Sequence, residues 1–229
     1  LIVSLDTLAY GGLVSSRRCD DDFTKIKTRI EKFKQIASKK AKKILAFSSV
    51  MRISNNNINE EEKLYWASFG KKIFDWSYKT YKNEVLGLKE EIKNDIPKEI
   101  LEDYLKTRKR NFEINKIYLN WAQEGFFDTL IFSKDDCAEF GLNVKEANIL
   151  NEEIKNKNLT SVLTKTGADE IPLGLLARAI SDFNLNKKKI KIKPVFLEEN
   201  SKNLISKYED IPIESCAKAQ LELANCEIT

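Results

Sequence analysis

The sequence contains no histidine among its 229 residues. Catalysis of the Ser-His-Asp and Cys-His kinds needs an imidazole as general base, so this chain cannot perform it with its own residues. Zinc sites in proteins also draw heavily on histidine, and its absence argues against a protein zinc site. Several familiar mechanisms are therefore excluded, and the remaining chemistry rests on carboxylates.

Cysteine is scarce as well. The four cysteines lie far apart, without the paired spacing of metal sites, and we interpret them as reduced thiols of a cytoplasmic protein. Cys137 follows two carboxylates, which should raise the pKa of its thiol and make it a poor nucleophile. The cysteines are Cys19, Cys137, Cys216 and Cys226.

Long hydrophobic runs and a strong charge imbalance are also missing. No apolar stretch approaches the roughly 18 residues needed to span a bilayer. The net charge of +4 is a small difference between 39 basic and 35 acidic residues. The densest basic runs, 39–43 and 187–193, border apolar segments and lack interleaved aromatic residues, so we interpret them as solvated ends of helices. We expect no nucleic-acid or membrane partner, and the oligomeric state stays open.

The chain begins with Leu1, inside an apparent strand, instead of with Met. We therefore expect residues 1–229 to be one α/β domain that is a fragment, truncated at both ends, of a longer protein. The abundance of Lys, Asn and Ile suggests an AT-rich bacterial genome.

Four short apolar runs each stop abruptly at acidic, glycine-rich or arginine-bearing residues. Short continuous apolar runs are typical of strands buried in a parallel sheet. Proteins of this class bind ligands beyond the carboxyl ends of such strands, so the polar residues there predict one carboxylate-rich cleft that also carries arginine. The predicted strands cover residues 1–5, 44–48, 129–133 and 161–165.

Helical periodicity between these strands predicts an α/β fold. Apolar residues recur at three- and four-residue spacing after the acidic run 20–22, and helices are predicted at 144–156 and 170–184. A further strand is predicted at 190–196, and 200–229 is predicted to form one or two helices without a clear final strand. The alternation indicates a mostly parallel sheet, either an open doubly wound sheet or a partial TIM-like barrel.

A long helical excursion, residues 59–124, separates the second and third predicted strands. Asn59 is predicted to cap its first helix, ahead of the acidic run 60–62. Pro97 is predicted to open its second helix, because proline fits the first helical turn.

Three polar residues of the second excursion helix share one face, because they are spaced three and four residues apart. That face lies beside the apolar stripe of the helix. Spacing alone favours side chains at the solvent border over side chains that reach into a polar pocket. The residues are Arg108, Asn111 and Asn115.

Two acidic pairs follow predicted strands. Asp135 and Asp136 would point to opposite faces of an extended chain, and their repulsion could raise one pKa towards the range of a general acid; a solvated turn explains them equally well. Asp169 and Glu170 follow Gly167 and open a predicted helix, where such residues are ordinary N-terminal caps.

The segment after the first strand combines an acid with paired glycines. Asp6 stands just beyond the strand, beside Tyr10, and Gly11-Gly12 would permit a tight turn or the close approach of a ligand. The glycine spacing matches neither a dinucleotide fingerprint nor a phosphate-binding loop. Fixed positive charge suited to a carboxylate or phosphate comes from Arg17 and Arg52.

Several segments recur together in one order: Ser4 to Val14 with Arg17, Met51-Arg52, Arg108 to Asn111 with Asn115, Ser133 to Gly141, and Gly167 to Glu170 with Leu175 to Arg178. In these stretches the chain resembles a bacterial family known as domain of unknown function 4127. The resemblance implies a protein about twice this length, with further segments on both sides. It assigns no reaction, but it implies site roles for six residues: Asp135, Asp136, Asp169, Glu170, Arg108 and Asn111.

The chain departs from the family pattern at two positions. Lys134 stands where glutamine is expected, and Ser15 stands where proline is usual. Either change would alter the rim of the predicted site.

The residues support three hypotheses. The first is a hydrolase acting on a glycan or another polyhydroxylated substrate, with Asp135 or Asp136 as general acid and a second carboxylate, Asp169 or Glu170 among the candidates, as base or nucleophile. Its substrate would be oriented by Asp6, Tyr10, Gly11, Gly12, Arg17, Arg52, Arg108, Asn111 and Asn115.

The second hypothesis is an enzyme in which Asp6, Asp136 and Glu170 hold Mg²⁺ or Mn²⁺ through oxygen ligands. The first hypothesis needs no cofactor. The third is a non-catalytic module that binds a small molecule or saccharide, or in which Arg–Asp pairs only tie loops together.

Overall fold

The computed structural model describes residues 1–183, 188–206 and 209–229. Its centre is a parallel four-stranded sheet in the order β1-β2-β3-β4. Ser49 pairs with Ser133, and Lys134 pairs with Thr166, so polar residues of neighbouring strands meet at one edge. The strands are β1 (Ile2–Ser4), β2 (Leu45–Val50), β3 (Thr129–Lys134) and β4 (Val162–Thr166).

Eight α-helices are present in the described part of the chain. They are α1 (Leu5–Tyr10), α2 (Leu13–Arg18), α3 (Phe23–Lys40), α4 (Trp66–Leu86), α5 (Lys98–Gln123), α6 (Leu142–Asn156), α7 (Ile171–Phe183) and α8 (Ile213–Leu223). None of the described helices is long and apolar enough to span a bilayer.

Helices cover both faces of the sheet. Successive strand residues point to opposite faces, and the apolar ones on each face pack against helices. On one face, Ala46 and Leu130 pack with Ile30 of α3 and Ile114 of α5. On the other face, apolar residues of β2 and β3 pack against α7 and α8, the set being Leu45, Ile131, Ile171, Leu175 and Leu223. The α/β class and the open-sheet alternative are confirmed, and the described strands close no barrel.

Local sequence explains several boundaries. Asp22 caps α3 by accepting the N–H of Lys25 at 2.8 Å, as the acidic run predicts. Pro97 opens α5, as predicted. Asn59 does not cap a helix, because α4 begins only at Trp66 and the acidic run 60–62 lies in a turn.

The prediction of a fifth strand over 190–196 is wrong in extent and partner. Only Lys191–Ile192 forms a strand, β5, and it pairs with β6 (Glu227–Ile228) in a separate two-stranded parallel sheet. Pro194 has no N–H to donate to a ladder, which limits the strand. The short β6 also corrects the expectation of no final strand. The end of the predicted helix 170–184 and the start of the basic run 187–193 lie outside the described residues.

Candidate functional site

The centre of the candidate site is the guanidinium of Arg52, two residues beyond β2. Its Nη1 lies 3.4 Å from Asp135 Oδ2 and 3.4 Å from Asp136 Oδ2. Its Nη2 lies 2.7 Å from Glu61 Oε2, and its Nε lies 3.1 Å from Glu62 Oε1. One side chain therefore holds carboxylates from the turn after β3 and from the segment before α4.

A second guanidinium joins the same carboxylates. Arg17 Nη2 lies 3.2 Å from Glu61 Oε2, and Arg17 Nε lies 3.0 Å from Glu62 Oε1. We call this set the Arg52 network, and it consists of Arg17, Arg52, Glu61, Glu62, Asp135 and Asp136. Two guanidiniums face four carboxylates, so the fully ionised network carries a formal charge of −2.

The network is buried on one side and open on the other. The side chains of Arg17 and Glu62 are 1% and 5% exposed, whereas those of Asp135 and Glu61 are 27% and 52% exposed. Burial, followed by the charge of Asp136, raises the pKa of Asp135, while Arg52 opposes the shift. Asp135 is therefore an accessible carboxyl group with an increased tendency to hold a proton.

Asp136 adopts an unusual backbone conformation, with φ at +47°. Aspartate tolerates this left-handed region better than most residues. The turn is held by the Asp136 N–H, which donates to Asp135 Oδ1 at 3.0 Å, and by Asn143 Nδ2, which donates to Asp136 O at 3.3 Å. The Ser54 hydroxyl donates to the Asp136 carboxylate. Both acids consequently reach Arg52, whereas an extended chain would have pointed them to opposite faces.

Asp6 lies in α1, not in a loop, because the helix begins directly after β1 and Ser4 caps it. Its carboxylate is buried and accepts the Ser49 N–H at 2.8 Å. Burial raises the pKa of Asp6 to about 6, although the Ser49 hydrogen bond opposes the shift. Asp6 is thus an interior group beneath the end of β2.

Tyr10 and the two glycines of the first predicted loop make contacts within the fold. Tyr10 is buried, and the Arg110 guanidinium carbon lies 5.3 Å from its ring centroid. Gly11 ends α1 at a φ of +95°, where its N–H donates to Thr7 O at 3.0 Å, and Gly12 precedes α2. The two glycines form a tight corner between α1 and α2, which is one of the two uses that the sequence predicted for them.

Arg108 is buried, so the border interpretation of its face is wrong. Its Nη2 donates to Met51 O at 2.7 Å and to Glu146 Oε2 at 2.8 Å, and its Nε lies 2.8 Å from Glu146 Oε1. Burial raises the pKa of Glu146 to about 7, against the opposing charge of Arg108. This one-to-one pair joins α5 to α6.

The two asparagines of the same face are also buried and bind the main chain. Asn111 Nδ2 donates to Ser16 O at 2.9 Å, and Asn115 Nδ2 donates to Ser49 O at 3.1 Å. Asn115 Oδ1 accepts the Ser48 hydroxyl at 2.8 Å. These contacts fix α5 to α2 and to the end of β2.

The second acidic pair lies in a different environment. Asp169 and Glu170 are exposed, and Glu170 Oε1 accepts a hydrogen bond from Gln220 of α8 at 3.0 Å. Nearby, Asp210 pairs with Lys134 and accepts the Thr166 hydroxyl at 2.9 Å. Glu170 therefore faces the C-terminal segment, and among the described residues neither acid forms a hydrogen bond or ion pair with the Arg52 network.

The proposed metal ligands have separate partners. Asp6 binds the Ser49 N–H, Asp136 binds Ser54 and Arg52, and Glu170 binds Gln220. Within the described ranges, no group of three or more His, Cys, Asp or Glu side chains is arranged to hold a metal ion.

Four partners of these sites were missed by sequence reasoning. Glu61 and Glu62 belong to the acidic run 60–62, which was predicted to start a helix and lies in a turn. The charge density of this run could have indicated that it pairs with the arginines. No sequence pattern around Ser54 or Glu146 indicated a role for them, because only the fold brings Ser54 to Asp136 and Glu146 to Arg108.

A cavity of about 550 Å³ lies beside the network, between the start of α3 and α5. Lys63 lines it, and Lys63 directly follows Glu62. Its Nζ donates to Asp103 Oδ2 at 2.8 Å. No network residue lines the cavity. Lys63 links the two, because it lines the cavity and follows Glu62 in the chain.

Comparison with known proteins identifies the family of this chain. The sequence profile of the family described as "Protein of unknown function (DUF4127)" matches residues 1–229. No curated protein and no solved structure matches the chain.

Proposed function

Because the chain belongs to the DUF4127 family, whose description assigns no reaction, we propose its function from the Arg52 network: a carboxylate-based hydrolase acting on a glycan or another polyhydroxylated substrate. One observation carries this proposal. Asp135 is a partly exposed carboxyl group with a raised pKa, and it shares one guanidinium with Asp136 and Glu61 at the carboxyl end of β3.

Asp135 serves as the proton donor. A carboxyl group that holds its proton into the working pH range can protonate the leaving oxygen as the bond to carbon breaks. Asp136 favours this role because its own negative charge lies beside Asp135, and Ser54 and Arg52 fix its position.

Glu61 serves as the second carboxylate. Its side chain is 52% exposed, and it is oriented by Arg52 and by Arg17 at 2.7 and 3.2 Å. Glycosidases need a second carboxylate either to activate water or to attack the sugar carbon. Asp169 and Glu170 are assigned no chemical step, because Glu170 accepts a hydrogen bond from α8 and, in the described part of the chain, neither acid is hydrogen-bonded or ion-paired to Arg52.

The charge of the network defines the class of substrate. Four carboxylates against two guanidiniums leave acceptor oxygens in excess, which suits hydroxyl donors and disfavours an anion. The partly exposed oxygens of Asp135 and Glu61 are the ones that a hydroxyl-rich ligand could reach. A neutral saccharide fits this pattern better than a phosphorylated one.

The test is turnover by the purified protein, and by the full-length product where the gene encodes a longer chain, on a panel of neutral glycans and glycosides. Asp135→Asn is expected to lower kcat by about 10²–10⁴-fold, the usual worth of a general acid. Glu152→Gln, which changes an exposed acid on α6, is the matched control and should leave turnover unchanged. Turnover that survives Asp135→Asn, or no turnover on any member of the panel, would contradict the proposal.

A second candidate has its own supporting observation. Every carboxylate of the Arg52 network is already ion-paired, and the two arginines connect α2, the segment after β2, the turn 59–62 and the turn after β3. Such a network could serve only to tie loops together. In that case Asp135→Asn would change stability, with no effect on the binding of any saccharide.

A further inference from the structure

The cavity between the start of α3 and α5 has walls that the fold holds in place. Arg110 of α5 donates to Ser16 O and to Cys19 O, both at 2.7 Å, and to Asp21 O at 2.9 Å. These bonds tie the chain ahead of α3 to α5. The cavity volume of about 550 Å³ lies within the range of roughly 300–1,000 Å³ that is usual for sites of small molecules. The cavity is therefore a preformed space of the size of a small ligand.

Four of the five acids that line the cavity are bound by other groups of the fold. The fifth, Asp20, has a side chain that is 94% exposed and lies 3.7 Å from Lys63 Nζ. The bound acids are Asp21 with Lys25 and Arg29, Asp22 with the N–H of Lys25, Asp103 with Lys63, and Glu113 with Lys116. The carboxylates of the cavity are therefore largely occupied within the fold, and they offer little to a cationic ligand.

Three cations of α5 line the cavity without an acidic partner. Lys106 and Lys109 are exposed, and in the described part of the chain neither forms an ion pair or a hydrogen bond. Arg110 binds main-chain carbonyl oxygens and the Asn111 amide oxygen, and none of these acceptors carries a charge. The three cations share one face of α5, because Lys106 lies three and four residues before the other two. Positive charge at this cavity is therefore uncompensated, and it favours an anionic ligand.

The cavity also has an aromatic lining residue and a buried hydroxyl group. The aromatic residue is Phe23, whose side chain is partly exposed where it lines the cavity. Thr107 is buried, and its hydroxyl oxygen accepts a hydrogen bond from Lys63 Nζ at 3.3 Å. The hydroxyl hydrogen has no acceptor among the described residues, so it remains available to a ligand oxygen. A ligand that joins a ring to an anionic oxygen would use both features.

We propose that this cavity is a second ligand site, which binds a small aromatic carboxylate. The carboxylate accepts hydrogen bonds from Lys106, Lys109 and the Thr107 hydroxyl, and the ring of the ligand packs against Phe23. This inference does not rest on the proposed hydrolase, because no residue of the Arg52 network lines the cavity.

The test is an NMR titration of the purified protein with benzoate, followed through its backbone amide signals and repeated with benzamide, the neutral isostere. Benzoate should shift the amides of 19–23 and 103–113 in a saturable manner, and its Kd should be about 10-fold lower than that of benzamide. The double variant Lys106→Gln/Lys109→Gln should raise the Kd for benzoate by about 10-fold and remove the preference for the anion. Lys32→Gln, at an exposed lysine of α3 outside the cavity, is the matched control and should leave the Kd unchanged.

A separate variant tests the aromatic wall. Phe23→Ala should weaken benzoate and benzamide alike, by about 5–10-fold, because both probes carry the same ring. Circular dichroism checks that each variant folds. The proposal would be overturned by the absence of saturable shifts at the lining residues, by equal affinity for the two probes, or by a benzoate Kd that the double lysine variant leaves unchanged.

Discussion

Two arginines on neighbouring parts of the fold use their charge in different ways. Arg108 faces one carboxylate, Glu146, between α5 and α6, where the two side chains are 2% and 14% exposed. Arg52 faces four carboxylates and shares two of them with Arg17, at an edge where Asp135 and Glu61 reach solvent. The first arrangement balances its charges, and the second leaves acceptor oxygens in excess.

Charge balance and exposure distinguish a structural ion pair from a candidate functional network. A balanced and buried pair has no accessible oxygen for a ligand, and its loss leaves one charge without a partner in the interior. The unbalanced and partly exposed Arg52 network keeps one carboxyl group with a raised pKa, that of Asp135, in contact with solvent, and shifted pKa values of this kind cluster at functional sites. We therefore expect the Arg108–Glu146 pair to act in stability, and the proposed function rests on the Arg52 network.

The largest expected effect comes from breaking the buried pair. Arg108→Met should lower the free energy of unfolding by about 3–5 kcal/mol, because the mostly buried Glu146 carboxylate would lose its partner. Urea denaturation measures the change. The exposed neighbour Lys109→Met is the control on the same helix.

The double variant Arg108→Met/Glu146→Leu sharpens the same comparison. It should recover most of the loss, because apolar replacement of both partners leaves no buried charge. If Arg108→Met lowers the free energy of unfolding by less than about 1 kcal/mol, the pair contributes no more than an ordinary exposed ion pair, and its structural assignment is contradicted.

Asp6 isolates the cost of burying a carboxylate, since the Ser49 N–H, and not an arginine, donates to its carboxylate. Its pKa is about 6 in the folded chain, above the ordinary value of 3.8, so the folded state binds the extra proton. The free energy of unfolding should therefore fall as pH rises from 4 to 6, and Asp6→Asn should remove about 2–3 kcal/mol of that fall.

The measurement is the difference in unfolding free energy between Asp6→Asn and wild type at pH 4 and pH 8. Glu146, whose pKa is about 7, also makes stability fall with rising pH, but it does so equally in both proteins, so its effect cancels in the difference. Asp128→Asn is the control, because Asp128 also accepts a backbone N–H, from Ile44 at 2.8 Å, but at an exposed position. A difference that does not grow with pH would show that burial does not raise the Asp6 pKa.

The smallest stability effect is expected within the open network. Arg52→Gln should cost about 1 kcal/mol, because its partly exposed pairs are screened by solvent and Arg17 still holds Glu61 and Glu62. Thermal unfolding measures this change. A cost equal to that of Arg108→Met would remove the distinction between the two arginines and favour the loop-tying role of the network.

The sheet was predictable because its strands are buried on both faces and appear as short apolar runs. The prediction of β2 stopped at residue 48, although the strand continues to Val50, because Ser48 and Ser49 are polar. Their burial depends on Asn115, which binds both through its amide, and Asn115 comes from a helix far along the chain.

The candidate site was predictable only in part. Asp135, Asp136 and Arg52 stand directly after apolar runs, so the topology of a parallel sheet brings them together. Glu61 and Glu62 come from a turn that has no strand before it, and their position depends on the packing of that turn against Arg17. The periodicity of α5 could not reveal that its polar face is covered by β2 and α6, which is why Arg108 was expected at the border.

The proposed function depends on Asp135 as a carboxyl group that holds its proton in a partly exposed network. The most direct measurement is an NMR titration of the Asp135 side-chain carboxyl carbon in wild type and in Arg52→Gln. We expect a wild-type midpoint above the ordinary aspartate value of about 3.9, and a higher midpoint in the variant, because Arg52 lowers the pKa of Asp135. A wild-type midpoint at or below that ordinary value, or a midpoint that falls when Arg52 is removed, would contradict it.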